Sequence, residues 1–203
     1  MDTWAWMIIA TPSRRRRWRL AVKALVLGGI MLAAGAGLAF AQSTSSGFGS
    51  GQVSMTRPNN GTAYTAASVI GPATTGPAVF TFGPMGPTGK DVIITSASLE
   101  IDVTAVPGGM TTFTLWLYNV TPPSALTDGQ AWVYGAADRA VALGPVELGV
   151  PVVKGQTLYV EVNGLQKQVT LAGSRLYGYL ITNNAWTPAA STVFVVTLHT
   201  VAP

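Results

Sequence analysis

Beyond residue 90 the chain alternates apolar and polar positions with a period of two. In Ser98-Leu99-Glu100-Ile101-Asp102-Val103, Leu99, Ile101 and Val103 fall on one side and the carboxylates Glu100 and Asp102 on the other. That is a strand with one buried and one wet face. Across Thr111–Val120 the residues Phe113, Leu115 and Leu117 share a face, and Thr112, Thr114, Trp116 and Tyr118 share the opposite one. Leu158, Val160 and Val162 alternate with Tyr159 and Glu161, while Leu176–Thr182 and Thr192–Val201 are rich in the β-branched and aromatic residues that strands favour. Nowhere after residue 42 do apolar positions recur at helical spacing for three turns.

Turn chemistry separates these runs. Asn163-Gly164 predicts a hairpin between Leu158–Val162 and Gln168–Leu171, since both residues tolerate positive φ. Pro107-Gly108-Gly109, Pro122-Pro123, Thr127–Gln130, Lys154-Gly155-Gln156 and Thr182-Asn183-Asn184 mark further turns. About eight short strands divided by Gly/Pro-rich loops predict an all-β, two-sheet antiparallel β-sandwich of jelly-roll type over residues 55–203.

Charge changes the picture at the N-terminus. Six of the twelve Lys and Arg residues lie between Arg14 and Lys23, ahead of an uncharged apolar run from Ala24 to Phe40. From Gln42 onward six basic residues stand against seven acidic ones, a net of 6 − 7 = −1. The chain's net charge of +4 therefore belongs to its leader. It makes no basic stripe of the kind that binds nucleic acid.

Residues 1–41 fit a secretory signal cleaved after Ala41. Arginines precede an aromatic residue, Trp18, as in a twin-arginine leader, but Arg19 stands where an apolar residue is expected. An uncleaved anchor through residues 24–40 and a start further downstream, with Met55 a possible one, are the other two readings. Only the anchor brings a membrane in as partner. Residues 42–54, with Gly47-Phe48-Gly49-Ser50-Gly51, have the composition of a flexible tether. These glycines follow no strand and open no helix, so they do not form a phosphate loop.

Candidate chemistry is sparse. The chain has no cysteine and a single histidine, His199, which rules out disulfides and a conventional zinc site. His199 belongs on the face opposite Phe194, Val196 and Leu198, without a nucleophile-elbow motif to serve. Glu100 and Asp102 stand about 6–7 Å apart along one strand face, a glycosidase-like spacing, but carboxylates alternating with core residues are the ordinary solvent face of a strand. Asp91, Asp128 and Asp138 fall in loops and could ligate calcium, yet none lies in a D-x-D-x-D-G sequence. Asn60-Gly61-Thr62 and Asn119-Val120-Thr121 match the N-glycosylation pattern. No catalytic residue, cofactor or metal site is assigned from these features. The aromatics Trp116, Tyr118, Trp132 and Trp186 remain as candidate contact residues. They serve a second buried face, a protein interface or a sugar-stacking platform.

The stretch Thr56-Arg57-Pro58-Asn59-Asn60-Gly61-Thr62-Ala63-Tyr64, followed by Ala66-Ala67-Ser68-Val69-Ile70-Gly71, resembles the opening of small tailed-bacteriophage virion structural proteins. The resemblance continues through Ile94–Asp102, Leu117-Tyr118-Asn119, Pro122–Asp128 and Leu158–Glu161, and closes with Val195–Val201. It implies a non-enzymatic virion component, a capsid decoration or cement protein or a tail-associated one. Its partners would be the major capsid protein or another virion protein and further copies of itself. The leader lies outside the resemblance and supports the alternative, an exported or anchored β-sandwich that binds carbohydrate.

Overall fold

In the computed structural model, which describes residues 49–203, alternation is converted into two antiparallel sheets packed face to face. Ten strands follow in order: β1 (Gly49–Thr56), β2 (Ser68–Ile70), β3 (Phe80–Phe82), β4 (Asp91–Ile101), β5 (Phe113–Tyr118), β6 (Ala142–Leu148), β7 (Val152–Lys154), β8 (Thr157–Thr170), β9 (Leu176–Thr182) and β10 (Val193–Val201). A single 3₁₀ turn, Ala137–Ala140, interrupts the long β5–β6 connection. No helix among the described residues is long and apolar enough to cross a membrane. The leader readings fall on residues outside those described.

One sheet runs β1-β10-β4-β8-β7 and the other β2-β9-β5-β6, with β3 added on β9. Setting aside the short β3 and β7, the strands pair from the outside in: β1 with β10, β2 with β9, β4 with β8, β5 with β6. Nested antiparallel pairs split between two sheets are the wrapping of a jelly roll. The expected fold class holds, and β9 and β10 lie where the sequence pattern put them.

Between the sheets Leu99 and Ile101 of β4, Phe113, Leu115 and Leu117 of β5, and Phe194, Val196 and Leu198 of β10 are all buried. Each such side chain contributes about 1.5–3 kcal/mol through burial, so this layer is the main stabilising element. His199 points outward from β10, as alternation requires.

Two expectations need correction. Asn163-Gly164 does not turn the chain: it lies inside β8, whose halves both pair with β4. Ser96 faces Asn163 and Ile94 faces Lys167, so residues 164–166 bulge out opposite Thr95. Gly164 (φ +71°) and Gln166 (φ +46°) supply the positive φ that a hairpin would also have used. The continuous edge of β4 decides between the two outcomes.

The second correction concerns the tether. Residues 49–54 belong to β1, with Gly49 opposite Thr200 and Ser54 opposite Val195. Its glycines serve close approach rather than flexibility. A Cβ on Gly49 would lie 2.6 Å from the Met85 carbonyl oxygen, and one on Gly51 would lie 2.5 Å from the Met85 sulfur.

Candidate functional site

On β5, Thr114, Trp116 and Tyr118 face away from the sandwich core, and a bare outer sheet face would leave those rings in water. The β5–β6 connection, residues 119–141, folds back over them instead. Backbone hydrogen bonds fasten it to the β2 edge: Val69 N–H to Gln130 O (2.8 Å), Gly129 N–H to Val69 O (2.8 Å) and Trp132 N–H to Ala67 O (2.7 Å). The result is a second, smaller core of Val69, Ala78, Tyr118, Leu126, Tyr179 and Ile181. Half-buried Trp116 and Trp132 pack at its margin.

The margin is an aromatic cluster. Trp116 lies 4.6 Å from Trp132 and 5.1 Å from Tyr134, and the Trp132 and Tyr134 rings stack at 6.1 Å, nearly parallel at 10°. The Arg139 guanidinium sits 6.0 Å above the Tyr134 ring. Tyr134 is 37% exposed and neighbouring Val133 60%. These two carry the cluster to the surface, and no periodic pattern in the sequence singles them out.

The four aromatics named from the sequence therefore divide. Trp116 and Trp132 lie together against the more exposed ring of Tyr134. Tyr118 is fully buried, edge-on to Tyr179 at 5.9 Å. Trp186 is 3% exposed in the main core, where it touches Tyr64, Phe113 and Phe194, and its indole N–H donates to Thr182 Oγ1 at 2.9 Å. Neither Tyr118 nor Trp186 offers a face to a partner in this fold.

Among the described residues the ionisable groups named from the sequence lie apart from one another. Asp102 is exposed, and Glu100 lies beside Tyr159 and Val195 on the outer face of its sheet. Asp91 accepts from Thr170 (2.6 Å) and Gln168 (3.0 Å), bonds that hold its carboxyl below the usual range. Among the described residues no group of three or more His, Cys, Asp or Glu side chains could hold a metal ion. A surface cleft of about 310 Å³ beside Asn119, Ser174, Arg175 and Tyr177 contains no acid.

Asp128 has a different role. With Arg57 and Tyr64 it forms a buried network at one end of the sandwich. The Arg57 guanidinium lies 3.5 Å from Asp128 Oδ2 and donates to Tyr64 Oη (3.1 Å), to the Asn60 side chain, and to carbonyls of Asn60, Thr62 and Ala189. Tyr64 donates to Asp128 Oδ1 at 2.6 Å, and Gly71 N–H donates to the same oxygen at 2.9 Å. Three loops are thereby pinned to one ion pair, which the sequence did not reveal because Asp128 lies 64 residues from Tyr64 along the chain.

Burial, reinforced by the Asp128 acceptor, pushes the Tyr64 hydroxyl well above its usual pKa. Burial does the same to Tyr118 and Tyr179. Above about pH 10 the unfolded chain loses these protons while the folded chain keeps them, so stability is full below pH 10 and falls as pH rises beyond it. The thermal midpoint is accordingly expected to drop between pH 10 and 12, with these tyrosinates appearing in the ultraviolet spectrum only on unfolding. Ionisation of all six tyrosines in the folded protein near pH 10 would refute this.

No family model matches the chain, and no curated protein matches it. Among solved structures, it is similar to a full particle of Israeli acute paralysis virus heated to 63 degrees. The identity is 12% and the TM-score 0.29, over 73% of this chain and 68% of that one. The likeness is too remote to bear on function.

Proposed function

We propose that this chain is a non-enzymatic structural component of a tailed-phage virion, a decoration or cement protein that docks on the capsid lattice. The observation that carries the reading is the aromatic cluster of Trp116, Trp132 and Tyr134, which reaches the surface at Tyr134 beside the exposed Val133. Rigid aromatic side chains with few torsions to immobilise are the residues that dominate protein interfaces. The family resemblance of the sequence supports the same reading, and the jelly-roll wrapping is compatible with it, since that architecture recurs in capsid and lectin domains alike.

A second exposed apolar strip suits self-association. Val152 and Val153 are exposed on β7, and Val150 just ahead of it is exposed too; β7 is the outer strand of its sheet, where backbone groups are open to pairing with another strand. The proposed assembly thus has two contacts, one to the lattice and one between copies.

The double variant Val133→Asp/Tyr134→Ala is expected to keep its melting transition within about 1 kcal/mol of the parent, as surface changes do. Co-sedimentation with capsids should weaken roughly tenfold or more, the loss of a modest hot spot. Unchanged binding would remove this surface from the interface. Quenching of tryptophan emission by soluble glycans, with no affinity for particles, would favour the exported carbohydrate-binding alternative.

A further inference from the structure

The chain holds two Asn-Gly dipeptides, Asn60-Gly61 and Asn163-Gly164. In such a pair the main-chain nitrogen that follows asparagine can reach the asparagine Cγ, because glycine puts no side chain in its way. Asparagine is a thermolabile residue for this reason. Both glycines are exposed, and a Cβ on either would meet nothing within 4 Å. Local sequence makes the two sites alike, so only the fold can separate them.

Asn60 is held from several sides. Its Oδ1 accepts from the Arg57 guanidinium at 3.1 Å and from the Thr62 N–H at 3.2 Å. Its own N–H donates to Pro58 O at 2.8 Å, and its carbonyl accepts from Arg57 Nη1 at 2.6 Å. Arg57 is itself buried and paired with Asp128, so the anchor does not move. The Asn60 carboxamide must leave a charged donor before its Cγ can turn to the Gly61 nitrogen.

Asn163 has none of these restraints. It is exposed, and no hydrogen bond among the described residues holds its carboxamide. It stands where β8 leaves the ladder: Asn163 faces Ser96 and Lys167 faces Ile94, while residues 164–166 have no partner on β4. On the other side β7 pairs only with Thr157, Leu158 and Tyr159. Gly164 therefore has a ladder neighbour on neither side, and the main chain can turn there without breaking strand pairing.

We propose that Asn163 is a site of spontaneous deamidation in the folded protein, and that the Arg57 network protects Asn60 from the same reaction. The Gly164 nitrogen forms a bond to Asn163 Cγ and the Cγ–Nδ2 bond breaks. The proton of the attacking nitrogen passes through solvent to the departing group, and ammonia leaves behind a cyclic imide. Water then adds at a ring carbonyl. Opening at Cγ gives aspartate, and opening at the main-chain carbonyl gives isoaspartate, with the chain running through Cγ. One water is consumed and one ammonia released, with no oxidant or cofactor. Either product places a carboxylate on the strand face that carries Glu161, two positions away. The reaction runs one way, so its extent grows with the age of the folded molecule. The inference stands independently of what the protein docks on.

The test incubates the full chain at mildly alkaline pH, folded in buffer and unfolded in urea, and follows the peptides that carry each asparagine by mass spectrometry. The exchange of –NH₂ for –OH reports conversion, and methylation by an isoaspartyl methyltransferase marks the isoaspartate fraction at residue 163. In urea, where local sequence alone acts, the two asparagines are expected to convert at similar rates. In the folded chain Asn163 should convert about tenfold or more faster than Asn60, the cost of detaching the Asn60 carboxamide from a charged donor. The proposal is overturned if folding slows Asn163 as much as Asn60. It is equally overturned if Asn163 stays an amide in the folded chain while the urea sample converts, since pairing in β8 would then protect it.

Discussion

Asp128→Ala is expected to cost about 3–5 kcal/mol of folding stability, the penalty for stranding one member of a buried ion pair. Arg57 would keep its carbonyl acceptors at Asn60, Thr62 and Ala189 but lose the only carboxylate beside it. Tyr64 would lose its acceptor and Gly71 N–H would lose its own. Against a total stability of about 5–15 kcal/mol for a domain of this kind, that loss is large.

Asp128→Asn keeps the shape and one acceptor oxygen, and is expected to cost less, about 1–3 kcal/mol. Replacing both partners, Arg57→Met with Asp128→Leu, should recover part of the loss, since paired apolar groups leave no charge uncompensated. Urea unfolding of the parent, both single variants and the double variant supplies the coupling energy directly. A loss below about 1 kcal/mol for Asp128→Ala would mean that the loops are held by their backbone contacts and not by the ion pair.

This network shows where reading the sequence runs out. Leu99, Ile101, Phe113, Leu115, Leu117, Phe194, Val196 and Leu198 were legible as core because a strand with one buried face writes its packing into local alternation. Arg57, Tyr64 and Asp128 follow no period, and their association exists only once the ends of β1, β2 and the β5–β6 connection meet. β6 was illegible for a local reason: Ala142-Leu143-Gly144-Pro145 carries the residues of a turn, yet Pro145 sits opposite Trp116 within a sheet-edge strand, where its missing N–H faces away from the pairing. β1 was hidden because its first two inward positions are Gly49 and Gly51, set by steric approach to Met85 and indistinguishable by composition from a linker, so that only Val53 and Met55 carry an apolar signal.

The candidate site was half legible. Trp116 and Tyr118 stood out as aromatics on the wrong face of a strand. That face turned out to have a cover of its own, so one of them is core and the other lies at the margin. Nothing in Ala131-Trp132-Val133-Tyr134-Gly135 announces that the connection lies flat on β5, because the bonds that place it run to Val69 of β2 and to Ala67 just before it. Exposure is a property of the covering segment, which the strand's own sequence does not encode.

Trp186 separates the packing role from the contact role most sharply. Trp186→Ala is expected to cost about 3–5 kcal/mol, as truncation of a large buried aromatic does. The lost volume adjoins Tyr64 at 5.6 Å, Phe113 at 6.4 Å and Phe194 at 6.5 Å, side chains fixed on a loop and two different strands. They cannot all collapse into the space together, and Thr182 Oγ1 loses its indole donor at the same time. Trp186→Phe should cost less, because the ring face persists and only the indole N–H and part of the volume are removed. Urea midpoints measure the stability loss, and co-sedimentation at low temperature, where the variant is still folded, measures docking. Full docking by folded Trp186→Ala beside weak docking by Val133→Asp/Tyr134→Ala would assign the two aromatic groups their separate roles. Weak docking by folded Trp186→Ala would instead mean that the lattice contact depends on the Tyr64–Trp186 end of the sandwich, opposing the assignment to the β5–β6 connection.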